Sequence, residues 1–212
     1  MKQFHIASAI FLGCALVAVA IIGPRFFPSP VSASEETVFR AENRHIYGNP
    51  KASTVIVEFS DLECPFCARL HPILQEIVDS SGGRVAWEYR HYPIPTHPHA
   101  YSAAVLAECV ADKAGHEAFF AFISRVFTEV SSLSPETLIR IAMEFGLSKE
   151  EQTKCQADEE IQARVSADVA AATRVGVRGT PHSVIVKSTG EVIPVSGALP
   201  KEQWNSLLQL AE

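Results

Sequence analysis

"EFSDLECPFCARLH", residues 58–71, sets Cys64 and Cys67 two residues apart, just after an apolar run and just before a helical pattern. The run itself, "STVIVEFS" at 53–60, is β-branched and suits a buried strand. Residues 65–79 then place Phe66, Leu70, Ile73, Leu74, Ile77 and Val78 at helical spacing, and "SSGG" at 80–83 stops the helix. "RVAWEYRHY" at 84–92 reads as a second strand. The stretch is thus the hinge of a β, α, β unit, which predicts a parallel strand pair with a right-handed crossover.

Beyond it the pattern changes. From about 97 to 175 only helical signals occur: "HAYSAAVLAECVAD", "HEAFFAFISRVFTEV", "PETLIRIAMEFG" and "EEIQARVSADVAAATRVG". Ser134 followed by Pro135 and Glu136 is a strong helix start, a capping side chain with proline in the first turn. "HSVIVK" and "EVIPVSG" flank Thr189-Gly190 and predict a β-hairpin, and "PKEQWNSLLQLAE" closes the chain as a helix. The expected architecture is α/β. A βαβ half at 38–96 and a ββα half at 176–212 enclose an all-helical insertion at 97–175, which is the order of the thioredoxin fold.

The N-terminal part has another character. Residues 6–22, "IASAIFLGCALVAVAII", carry no charge, and seventeen helical residues span roughly 26 Å, enough to cross a bilayer with flanking help. Lys2 and the amino terminus precede the run, which favours a cytoplasmic N-terminus with the remainder exported. We expect a signal anchor over 1–23, with cleavage after the small-x-small "VSA" at 31–33 as the alternative, and a Pro- and Ser-rich linker over 24–37. Without residues 1–33 the chain holds 16 basic against 24 acidic residues, which argues against nucleic acid or anionic membrane surfaces as partners. Four cysteines lie beyond the run: Cys64, Cys67, Cys109 and Cys155. Outside the cytoplasm such cysteines form lasting disulfides.

Three chemistries compete for Cys64 and Cys67. A structural zinc site wants two close ligand pairs, and only one is present. A structural bridge closing so short a loop removes little chain entropy. A redox pair fits the placement better. A cysteine at a helix N-terminus faces unpaired backbone N–H groups and the positive end of the dipole, which stabilise a thiolate. Pro65 sets φ for the first turn and removes no needed donor. Cys64 is therefore the expected exposed attacking thiol and Cys67, one turn in, the shielded resolving one. Glu58, inside an apolar strand, is either a solvent-facing residue or a partly buried carboxyl with a raised pKa that exchanges a proton with Cys67 through water. Pro181, in "RGTPHS" just before the hairpin, is a candidate cis-proline.

"VEFSDLECPFC", "YRHYP" with "HPHA", "AECVAD" and "VGVRGTPHSVIV" together resemble the DsbA-like branch of the thioredoxin superfamily, particularly its membrane-anchored bacterial members, over roughly residues 38–211. The resemblance implies a protein thiol–disulfide oxidoreductase with Cys64 as nucleophile, Cys67 as resolving cysteine and Glu58 as the buried acid. It further implies that Thr180 and Pro181, with Pro65 and Phe66 at the helix mouth, meet extended substrate chains by strand addition. Expected partners are reduced or unfolded exported proteins and a membrane redox partner that reoxidises the dithiol. No cofactor, metal or nucleic acid is expected, and the chain is expected to be monomeric and extracytoplasmic.

Strongly oxidising members often carry His where this chain has Phe66, and Glu63 adds a negative charge beside Cys64, so a less extreme oxidant is expected. Cys109 and Cys155 read as two buried thiols or as a bridge, and similar anchored members favour the bridge. His91, His97 and His99 read as a solvated loop with one His near a helix start. The rival functions are a disulfide isomerase or reductase, and a peptide-binding chaperone with an incidental cysteine pair.

Overall fold

The computed structural model describes residues 45–210. The anchor expected at 1–23 and the linker at 24–37 lie outside them, and among the described residues no helix is long and apolar enough to cross a membrane.

The elements run β1 (His45–Gly48), β2 (Thr54–Ser60), α1 (Pro65–Ser80), β3 (Val85–His91), α2 (Ala100–Ala114), α3 (His116–Phe127), a 3-10 turn (Val130–Ser132), α4 (Pro135–Glu144), α5 (Lys149–Gln156), α6 (Glu159–Arg174), β4 (His182–Lys187), β5 (Val192–Ser196) and α7 (Lys201–Leu208). The strands form one sheet in the order β1-β3-β2-β4-β5. β2 and β3 run parallel, and every other neighbour pair is antiparallel. β2 is thus the central strand, joined on one side to β3 and on the other to β4, which follows it by more than a hundred residues.

Strand periodicity divides the apolar side chains between two faces. Ile56, Trp87 and Ile185 face Leu70, Leu74 and Ile77 of α1, in a core that continues through α2, α3 and α4. Val57, Phe59 and Val184 face the other way, against Ala171, Ala172 and Val177. Burial at positions 67, 70, 71, 74, 77 and 78 gives α1 one continuous inward stripe.

Two elements escape the apolar pattern. β1 is four residues long and, among the described residues, pairs only with β3. Its last residue, Gly48, has φ +92°, and a Cβ there would collide with Val78. α5, "KEEQTKCQ", buries only Gln152 among its residues. What starts α5 is a reciprocal cap: Ser148 Oγ accepts from Glu151 N, and the Glu151 carboxylate accepts from Ser148 N. Cys155 on this helix is bonded to Cys109 on α2, with the Cα atoms 6.0 Å apart.

The histidine-containing segment departs from the expected solvated loop. His91, 1 % exposed, meets Glu108 of α2 at 3.1 Å, and His45 of β1 meets the same carboxylate oxygen at 2.8 Å. One buried anion thereby joins β1, β3 and α2. His97 Nδ1 lies 2.9 Å from the buried Asp61 carboxylate. His99 is the one that stands at a helix start, as the residue before α2.

Candidate active site

The turn from β2 into α1 is built by short local bonds. Asp61 Oδ1 accepts from Glu63 N at 2.7 Å, and Asp61 O accepts from Cys64 N at 3.1 Å. Cys64 is the N-cap, with extended backbone (φ −84°, ψ 120°), and Pro65 opens the helix. This geometry aims the first free N–H groups of α1 at the Cys64 sulfur, as a helix N-terminus does for any anion.

Cys64 and Cys67 are both thiols and both covered, at 4 % and 0 % exposure. The expected exposure of Cys64 is therefore corrected. The cause is the loop before β4, whose Thr180 carbonyl oxygen lies 3.5 Å from Cys64 Sγ. The Thr180–Pro181 peptide is cis. Pro181 O accepts from Gly197 N at 2.9 Å, which ties this loop to the end of β5. Pro65 and Phe66 are exposed beside it, and the Arg69 guanidinium sits 5.1 Å from the Phe66 ring centre. The structure thus brings Cys64, Cys67, Thr180, Pro181, Pro65 and Phe66 to one place.

The electrostatics of the two sulfurs are opposed. A hydrogen bond from Cys67 lowers Cys64 to about 5, aided by Thr180 and by the backbone N–H groups of Cys67 and Phe66 against the cost of burial. Burial pushes Cys67 well above the ordinary thiol value, and the charges of Glu58 and Cys64 push it further. The Asp61 N–H points at Cys67 Sγ from 3.4 Å. The Glu63 carboxylate is held toward α2, accepting from His99 N at 2.6 Å. With Asp61 Oδ2 accepting from Ile94 N at 2.7 Å, two carboxylates fasten the active-site turn to the segment leading into α2.

Glu58 is 1 % exposed, so the solvent-facing alternative is excluded. Burial raises its carboxyl to about 8, against a weaker opposing pull from Ser60 and Trp87. Ser60, Tyr89 and Asp61 are further neighbours of this cluster that the sequence alone did not single out. For Ser60 and Asp61 the available signal was position: two polar residues ending a buried strand immediately before the cysteines. His71, buried and lowered to about 4, contacts Ser124 Oγ at 2.6 Å and the Trp87 ring.

The arrangement pairs a stabilised thiolate with a protonated thiol one helical turn away, beneath a backbone edge able to hold an extended chain. That is the equipment for dithiol–disulfide exchange.

A family model described as "Thioredoxin" matches residues 40–209. Among solved structures, DsbA2 of Pseudomonas aeruginosa is 29 % identical with a TM-score of 0.67, covering 80 % of this chain and 95 % of that one. A thioredoxin-like oxidoreductase from Silicibacter pomeroyi is 26 % identical with a TM-score of 0.68, covering 84 % and 96 %. The catalytic domain of Proteus mirabilis ScsC shares the fold at 20 % identity and a TM-score of 0.71, covering 84 % and 94 %. A curated relative, the Na(+)/H(+) antiporter NhaA 3 of Salinispora tropica, is 33 % identical over 139 residues, which are 65 % of this chain but only 21 % of the antiporter. The chain spans about a fifth of the length of that relative. With a family match running nearly end to end through the described residues and the two sulfurs set as exchange chemistry requires, this chain belongs to the thioredoxin family, as a DsbA-like thiol–disulfide oxidoreductase.

Proposed function

We propose that the chain is an extracytoplasmic oxidase that introduces disulfides into exported proteins, held at the cytoplasmic membrane by the helix expected at 1–23. The observation that carries this reading is the asymmetry of the pair, with Cys64 lowered to about 5 while Cys67 is raised. Stabilising the thiolate stabilises the reduced form, and that makes the disulfide a better oxidant.

In the forward reaction a substrate thiolate attacks Cys64 Sγ. The Cys64–Cys67 bond breaks, a mixed disulfide forms, and Cys67 leaves as a thiolate that takes up a proton from the Glu58 carboxyl. A second substrate thiolate attacks the substrate sulfur of the mixed disulfide, and Cys64 leaves as its stable thiolate. The substrate has lost two electrons and the pair has gained them. A membrane redox partner, linked to quinone, removes them again. Thr180, Pro181, Pro65 and Phe66 are the proposed contacts for the substrate chain, and Cys109–Cys155 is a structural bridge outside the reaction.

The test is the redox state of Cys64 and Cys67 in cells, read by thiol trapping. A mostly oxidised pair is expected. A mostly reduced pair would replace the oxidase with an isomerase or reductase.

A further inference from the structure

The face of β2 turned toward α1 is apolar at Ile56 and then polar at Glu58 and Ser60. Tyr89 stands across from Glu58 on β3, and Ser183 stands across from it on β4. These four side chains are at most 2 % exposed. Neither Glu58 oxygen, nor the hydroxyls of Ser60, Tyr89 and Ser183, makes a hydrogen bond with any described residue in the dithiol. A buried hydroxyl without a partner is destabilising, so a group kept there calls for a physical reason.

Position supplies one. Same-face residues on a strand lie about 6.6 Å apart, which is the distance along β2 from Glu58 to Ser60. The next residue, Asp61, has its N–H 3.4 Å from Cys67 Sγ. Ser60 therefore stands between the carboxyl and the sulfur. No hydrogen bond joins Glu58 to Cys67 directly, yet a proton must pass between them. A serine hydroxyl both donates and accepts. Its dipole reaches all the partners concerned, because it favours the charged forms of Glu58, Cys67 and Tyr89 alike.

We propose that the Ser60 hydroxyl relays the proton between Cys67 Sγ and the Glu58 carboxyl, a role that rests on the dithiol chemistry assigned above. In the forward direction the departing Cys67 thiolate takes the hydroxyl proton of Ser60 as Ser60 takes the proton of the Glu58 acid, which is left as a carboxylate. On reoxidation the order reverses. The carboxylate accepts from Ser60, Ser60 accepts from the Cys67 thiol, and the new thiolate attacks Cys64 Sγ in the mixed disulfide, expelling the partner's thiolate. The titratable groups facing this chamber are Cys64, Cys67 and His71 from α1, Glu58 and Asp61 from β2 and its following turn, and Tyr89 from β3. β4 contributes only the neutral Ser183.

The experiment follows the reduced full-length protein reacting with 5,5′-dithiobis(2-nitrobenzoate) in stopped flow. Cys64 attack releases one coloured thiolate, and closure by Cys67 releases the second. Ser60→Ala is expected to leave the first release unchanged and slow the second by about tenfold or more, with Ser60→Thr restoring it. In the unaltered protein the second release should rise to a plateau governed by Glu58 near pH 8. In Ser60→Ala it should instead climb in proportion to hydroxide. A second release within about twofold of the unaltered protein overturns the relay. So does a slowing that keeps the pH profile and is not rescued by Ser60→Thr, the mark of lost packing alone. A solvent deuterium effect on the second release is expected in the unaltered protein, and its absence would also overturn the relay without any variant. If the unaltered protein showed no ordered pair of releases, the dithiol reading would fall, and the relay with it.

Discussion

The chain places two cysteine pairs in opposite situations. Cys64 and Cys67 sit one turn apart at the mouth of α1 as thiols, whereas Cys109 and Cys155 are bonded across 46 residues, from within α2 to near the end of α5. Closing the long loop stabilises the fold by about 3–4 kcal/mol in the chain-entropy model, and closing a two-residue loop contributes far less. The helix N-terminus adds the second difference, since it stabilises a thiolate at Cys64 and nothing comparable acts on Cys109 inside α2. The lesson is that the sulfur's position decides whether a disulfide is a fixture or a reagent.

Three measurements press on that division. The largest effect is expected from Cys64→Ser, which should abolish catalysed oxidation of a reduced model protein, while Cys109→Ala with Cys155→Ala should leave most of that activity. If Cys64→Ser kept its activity, the division would collapse and the chaperone reading would gain. Next, urea unfolding should show the Cys109→Ala, Cys155→Ala protein less stable by about 3–4 kcal/mol. A cost near zero would mean that the bridge constrains nothing. The smallest is a titration. Alkylation of Cys64 in the reduced protein should rise with a midpoint near pH 5. Because Cys64 is lowered in the fold, the unfolded chain binds the extra proton between that midpoint and the ordinary thiol value. The Cys64 contribution to the reduced form's stability is therefore complete above the ordinary value and lost as pH falls through about 5. The oxidised form should lack this dependence.

Legibility in the sequence followed the same physics. β2, α1 and β3 were readable because their apolar spacing repeats with the strand or helix period, and the hairpin because Thr189-Gly190 interrupts two β-branched runs. β1 was not, since four residues at a sheet edge carry too little pattern. α5 was missed by apolar spacing, although Ser148 and Glu151 stand at the interval of a capping box. At the site, Cys64, Cys67 and Glu58 declared themselves by spacing and by an acid in an apolar strand. The cover over Cys64 and the bond from Glu63 to His99 did not, because both depend on loops that meet only in the folded chain. The buried role of His91 and the contact of His97 with Asp61 were hidden for the same reason.

The central place of β2 sets a schedule for the nascent chain. Cys67 leaves the ribosome 114 residues before Pro181, and β2 has only one of its two neighbours until β4 appears. At about 5–20 residues per second the interval is on the order of ten seconds. Cys109 and Cys155 emerge within it, 42 and 88 residues after Cys67. Each new copy thus passes through a stage in which its reagent pair is made but uncovered while its own structural cysteines arrive. All four sulfurs are thiols at that stage, so both bridges wait on an oxidant from outside the chain.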